Sequence, residues 1–195
     1  MIRTLTAVVL GTTSLGLSRC IIAPHEIRLA ATPPPTLNTQ TGTGVKLKLA
    51  VIDDRGQRAV GQRGIGIVGA DITAPDIMNH LTRQVTDGFS HRGFLLVSDS
   101  SQADALVTVS LRSFRWEFHT AFFVGQEDIY VALKAEGRKP ATQAEFLKTY
   151  QYDNITPAII DAHGAEISAK MDAGLQSVLA QFFSDSDLMN FLTKK

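Results

Sequence analysis

Between Ala105 and Asp153 the chain alternates apolar and polar residues in three successive runs. Side chains along a strand point to opposite faces with a period of two, so each run predicts a strand with one buried face. The first, Ala105–His119, is the longest. Val107, Val109 and Leu111 share one parity along it, whereas Phe114, Trp116 and Phe118 take the other. A change of phase inside one strand requires either a bulge or a change in the face being covered, and it falls near Arg112–Ser113. An apolar turn, Thr120–Gly125, leads into the alternation Ile129, Val131, Leu133, Ala135. Gly137-Arg138-Lys139-Pro140 then turns the chain into Gln143–Asp153, with Phe146, Tyr150 and Tyr152 at even positions. Strands joined in this way predict a β-meander.

The flanking segments add helices and further strands. Val45–Ile52 alternates with Val45, Leu47, Leu49 and Val51 inward, and Ile65–Ile72 is a second, glycine-loosened strand candidate. Thr73-Ala74-Pro75-Asp76 has the residues of a helix start, with Thr73 as N-cap and proline in the first turn. Ile77, Leu81, Val85 and Phe89 follow as an apolar stripe at i, i+4 spacing, and Gly93 ends the helix. Phe94–Val97 is a short buried strand. Ile155–Gly164, which contains Pro157, connects to a long amphipathic helix through Ile167, Met171, Leu175, Val178, Leu179 and Phe182. Ser184-Asp185-Ser186-Asp187 caps a short last helix. The whole is predicted as a single α+β domain over residues 45–195. Its sheet is mixed or mainly antiparallel and is covered by one helix from the N-terminal half and by the C-terminal helices. With 44% hydrophobic residues, the chain holds enough apolar material for one sizeable core.

The N-terminus carries an address rather than structure. Met1–Thr4 has one cation, Arg3, and Leu5–Leu17 is uncharged and mostly apolar. That run is shorter than the roughly 20 residues a spanning helix needs, and it has the form of a secretory signal peptide. It stops at Leu17-Ser18-Arg19-Cys20, and Cys20 is the single cysteine of the chain. The placement resembles a lipobox, in which the thiol takes a diacylglycerol, becomes the mature N-terminus and is acylated again, as with palmitate. Arg19 departs from that motif, since Gly, Ala or Ser usually precedes the cysteine. By the same resemblance, Ile21 in place of an aspartate points to the outer membrane, with the domain facing the periplasm. An unmodified thiol would instead leave the protein soluble in the periplasm.

Residues 21–44 hold Pro24, Pro33, Pro34 and Pro35 followed by a Thr/Gly run, the composition of a linker. The alternative is an arm packed on the domain through Ile21, Ile22, Ile27 and Leu29. Without residues 1–20 the chain has 17 Lys and Arg against 19 Asp and Glu, a net charge near −2. That provides no clustered basic face for nucleic acid. The partners expected are the membrane, through Cys20, and an envelope protein or cell-wall component.

The export signal ending in Cys20 combines with the strand Leu47–Asp53, the helix end Ser90-His91-Arg92-Gly93-Phe94 and the strand Ala103–Val109. The closing helix, Asp187-Leu188-Met189-Asn190-Phe191-Leu192, completes the set. Together these resemble the YajG family of bacterial lipoproteins. The resemblance covers nearly the whole chain. It implies an outer-membrane lipoprotein of uncharacterised role and supplies no catalytic residues.

Motifs with chemical meaning mostly dissolve on inspection. Gly64-Ile65-Gly66-Ile67-Val68-Gly69 matches G-x-G-x-x-G, but no apolar strand precedes it and the helix opens only near Pro75, so no dinucleotide site is expected. The histidines lack metal spacing: His80 and His91 are not at i, i+4. Glu117 and His119 share one strand face and supply two ligands, with a third and fourth not visible. No G-x-S-x-G elbow occurs, and Asp53/Asp54 and Asp185/Asp187 have the settings of turn and cap residues. No catalytic residue, metal site or cofactor is therefore assigned, and a non-catalytic interaction module is expected. The rival is a soluble periplasmic binding protein or enzyme whose site is assembled from scattered residues. One apolar feature stands out: Phe114, Trp116, Phe118, Phe122 and Phe123. These aromatics either fill a core beneath a helix or form an exposed partner-binding surface.

Overall fold

The computed structural model describes residues 24–30, 41–65, 68–121, 124–158 and 164–194. The strands are β1 (His25–Glu26), β2 (Lys46–Asp53), β3 (Gly61–Ile65), β4 (Val68–Thr73), β5 (Leu95–Leu96), β6 (Ala105–Ala121), β7 (Val124–Arg138) and β8 (Glu145–Ala158). The helices are α1 (Ile77–His91), α2 (Gly164–Ser184) and α3 (Ser186–Thr193). Five strands form one sheet in the order β5-β2-β6-β7-β8, and β1-β4-β3 form a second. β2 runs parallel to β5 and β6, and β6, β7 and β8 form the antiparallel meander. The architecture is α+β with mixed sheets, as the alternation and the stripes require.

The phase shift in β6 is a bulge. Leu111 pairs with Leu133 and Ser113 with Ala132, so Arg112 is an extra residue with no partner in the ladder. An added residue resets the parity and keeps one face inward. Val107, Val109, Leu111, Phe114 and Trp116 therefore all enter the same core. Opposite them lie Ile129, Val131 and Leu133 of β7. Leu81, Val85 and Phe89 of α1 and Met171, Leu175, Val178 and Phe182 of α2 complete that core. Burying each such side chain contributes about 1.5–3 kcal/mol. At its centre Phe89 meets Phe94, Phe182 and Phe183 edge to face, with centroids 5.4 to 5.7 Å apart. Gly88 permits this approach of α1: a Cβ there would lie 2.1 Å from the Phe183 ring.

Several local readings change. The single strand expected over 65–72 is a hairpin, β3 and β4, because the chain from Val60 onward adds to the edge of β6: the Trp116 N–H donates to the Val60 carbonyl at 2.8 Å. Gly61 is required at this contact, since a Cβ would stand 2.1 Å from the Trp116 carbonyl oxygen. Thr73 is not the N-cap of α1. It remains in β4 with its carbonyl taken by the Ile27 N–H at 2.7 Å, and the cap position passes to Asp76. β5 is an edge strand with Leu95 exposed, and β8 extends through Pro157, which an edge strand tolerates. The last cap is as expected: Asp185 accepts the Asp187 N–H at 2.9 Å. Asp185 also takes a hydrogen bond from Tyr150 of β8 and an ion pair from Lys148 at 3.0 Å. Burial opposes its charge, but these partners outweigh it and hold the carboxyl below the usual aspartate range.

Candidate functional site

Residues 24–30, read from composition as part of a linker, follow the packed-arm alternative. His25 and Glu26 pair in parallel with Ile72 and Thr73 of β4, and Ile27 is buried in the core. One apolar side chain at the right register, with a free strand edge to pair on, is enough to dock the segment. Cys20 lies outside the described residues.

The docked arm separates two open depressions. One, of about 570 Å³, faces α1 and is lined by Glu26, Arg28, Asp76, Asn79, His80 and Arg83. The other, of about 740 Å³, faces α2 and includes His25, Arg28, Ser168 and Asp172. His25 Nε2 lies 3.4 Å from Ser168 Oγ. That is longer than the 2.6–3.2 Å of an activated nucleophile and its base, so the contact serves mainly to hold the arm on α2.

His80 of α1 lines the first depression and Asp172 of α2 the second, and each feels the other's charge. Burial lowers the His80 pKa; the Asp172 charge opposes that and Arg83 reinforces it. Burial raises the Asp172 pKa, against the pull of His80 and Gln176. Among the described residues neither His80 Nε2 nor Asp172 Oδ1 has a hydrogen-bond partner. Buried polar atoms are nearly always satisfied, so these two, each on a residue lining one of the depressions, single out the depressions as candidate contact surfaces. Sequence reasoning considered His80 only as a metal ligand and did not find Asp172. The apolar stripes that identify α1 and α2 carry no information about which polar residues flank the seam between them.

The aromatic hairpin is placed differently from the exposed alternative. Phe114 is 1% exposed and Trp116 3%, and Phe118 packs partly buried against the same core, stacked on Trp116 at 6.1 Å. The bulge explains this, because it returns these aromatics to the covered face and removes the need for a second layer. Phe122 and Phe123 lie outside the described residues. The sequence also gave no notice of Glu127, which is fully buried, accepts a hydrogen bond from Trp116 Nε1 and forms an ion pair with Lys170 of α2. The available signal was parity, since Glu127 falls on the inward series of Ile129 and Val131. Glu117 and His119 do share the outer face of β6, and Asp128 of β7 joins them there.

Among the described residues no helix is long and apolar enough to cross a membrane. A family model described as uncharacterised lipoprotein matches residues 32–193. A sequence comparison with curated proteins finds no match. A crystal structure from Xanthomonas campestris, assigned to the family DUF330, superposes with a TM-score of 0.54 at 13% identity, covering 86% of this chain and 96% of that one. An uncharacterised protein superposes with a TM-score of 0.50 at 9% identity over 83% and 95% of the two chains. These likenesses show the fold alone.

Proposed function

Since the chain belongs to this family of uncharacterised lipoproteins, the YajG family, we propose that it is a non-catalytic interaction module held on the periplasmic face of the outer membrane by lipid on Cys20. The site that would contact its partner is the pair of depressions flanking the docked arm. The observation that carries this reading is that each depression is lined by a residue with a buried, unsatisfied polar atom, His80 Nε2 in one and Asp172 Oδ1 in the other. The partner class is an envelope protein or a cell-wall component.

Two measurements test the reading. Cys20→Ser is expected to abolish membrane fractionation and incorporation of labelled palmitate; a wild-type protein that takes no label and stays with soluble periplasm overturns the anchor. A photo-crosslinking side chain at Arg83 is expected to give discrete envelope adducts, whereas one at Leu147, exposed on β8, gives none. Equal labelling from both positions removes the depressions as the contact site. The same two unsatisfied atoms also favour a second reading, a soluble periplasmic binding protein or enzyme. It would be recognised by small-molecule binding that His80→Gln and Asp172→Asn both abolish.

A further inference from the structure

The outer face of the β6–β7 hairpin gathers Glu117, His119 and Asp128. Glu117 stands directly opposite Asp128 in the ladder, and like charges placed so are destabilising unless a cation lies between them. His119 Nε2 lies 3.4 Å from Glu117 Oε2 and 3.3 Å from Asp128 Oδ2. The three ligand atoms all fall within 4.8 Å of one another. A tetrahedral ion with bonds of about 2.05 Å holds its ligand atoms about 3.3 Å apart, which is the spacing His119 Nε2 already has from each carboxylate oxygen.

A second, independent observation concerns the far oxygens. Arg115 Nε holds Glu117 Oε1 at 3.0 Å, and Gln126 Nε2 donates to Asp128 Oδ1 at 2.9 Å. Each carboxylate is thus fixed through one oxygen while the other is turned toward His119. Outer partners of this kind orient metal ligands and set their affinity. All three side chains remain reachable from solvent, so a fourth position is open to water.

We propose that Glu117, His119 and Asp128 form a three-ligand site for a borderline divalent cation, Zn²⁺ foremost, on the outer face of the hairpin. One nitrogen and two carboxylate oxygens suit Zn²⁺ and disfavour Mg²⁺ and Ca²⁺, which take all-oxygen shells. The competing occupant is a proton, which would make His119 an imidazolium bridging two carboxylates.

The test is calorimetric titration of the purified full-length protein, without a histidine tag, against Zn²⁺ and separately against Ca²⁺. One Zn²⁺ per chain is expected, with Ca²⁺ at least tenfold weaker. His119→Ala and Asp128→Asn should each lower the Zn²⁺ affinity at least tenfold, and Gln126→Ala should lower it about tenfold through the carboxylate it orients. Metal-free melting temperatures of the variants establish that they are folded. No Zn²⁺ binding by the wild type, Ca²⁺ binding as tight as Zn²⁺, or affinity unchanged in folded His119→Ala overturns the site and leaves the proton-bridged triple. None of these outcomes depends on Cys20 or on the depressions beside the arm.

Discussion

The two faces of the distal β6–β7 hairpin alternate residue by residue and do opposite work. Inward lie Phe114, Trp116 and Phe118, with Glu127 and Ile129 across from the last two. Outward lie Arg115, Glu117 and His119, with Tyr130, Asp128 and Gln126 opposite. The inner face is aromatic and holds one carboxylate, neutralised by Lys170. The outer face is charged and linked by ion pairs. A run rich in large aromatics invites a reading as a contact surface, yet here the aromatics are structural and the chemistry sits on the residues between them. What decides the matter is a single inserted residue at Arg112.

That difference is broken most severely by removing the insertion. Deleting Arg112 should rotate Phe114, Trp116 and Phe118 to the solvent face, since a one-residue slip inverts every following side chain. Loss of the cooperative thermal transition is expected. Arg112→Ala keeps the extra residue and gives up only the exposed ion pair with Asp54, at a cost of about 1 kcal/mol or less. If both variants melt like the wild type, the bulge does not set the faces.

Next in size is Trp116→Ala. Loss of a buried aromatic should cost about 3–5 kcal/mol, which for a domain of this size lowers the melting temperature by about 6–20 °C. A near-unchanged melting curve by circular dichroism would return Trp116 to the surface. Glu127→Gln follows, at about 1–3 kcal/mol, because it removes the charge that Lys170 meets while keeping the shape. Its effect should not add to that of Lys170→Met in the double variant, measured by urea denaturation; full additivity would deny the contact. Smallest is His119→Ala in metal-free buffer, expected within about 0.5 kcal/mol of the wild type. A large loss there would make the outer face structural too.

How much of this was readable follows the same parity. β6, β7, β8, α1 and α2 announce themselves through periods of 2 and 3.6, and even the place of the bulge showed as a broken phase. The hairpin of β3 and β4 did not, because Gly61 hides a strand whose fit depends on the lack of a side chain beside Trp116. The arm at 24–30 looked like linker, since a two-residue parallel pairing with β4 leaves no periodic trace. Glu127 was missed although its parity pointed inward, for a buried carboxylate needs Lys170, remote in sequence, to be tolerable. Asp128 likewise became a neighbour of Glu117 only through a register that the bulge shifts by one.

The docked arm has a consequence for geometry at the membrane. Cys20 precedes His25 by five peptide steps, and an extended chain advances at most about 3.3–3.6 Å per residue. If Cys20 carries the proposed lipid, the β1–β4 edge would stay within about 18 Å of the bilayer surface. Pro33–Pro35 follow the first point of attachment in the chain and would add no height. The domain would ride low at its mooring, with the seam between α1 and α2 close to the headgroups.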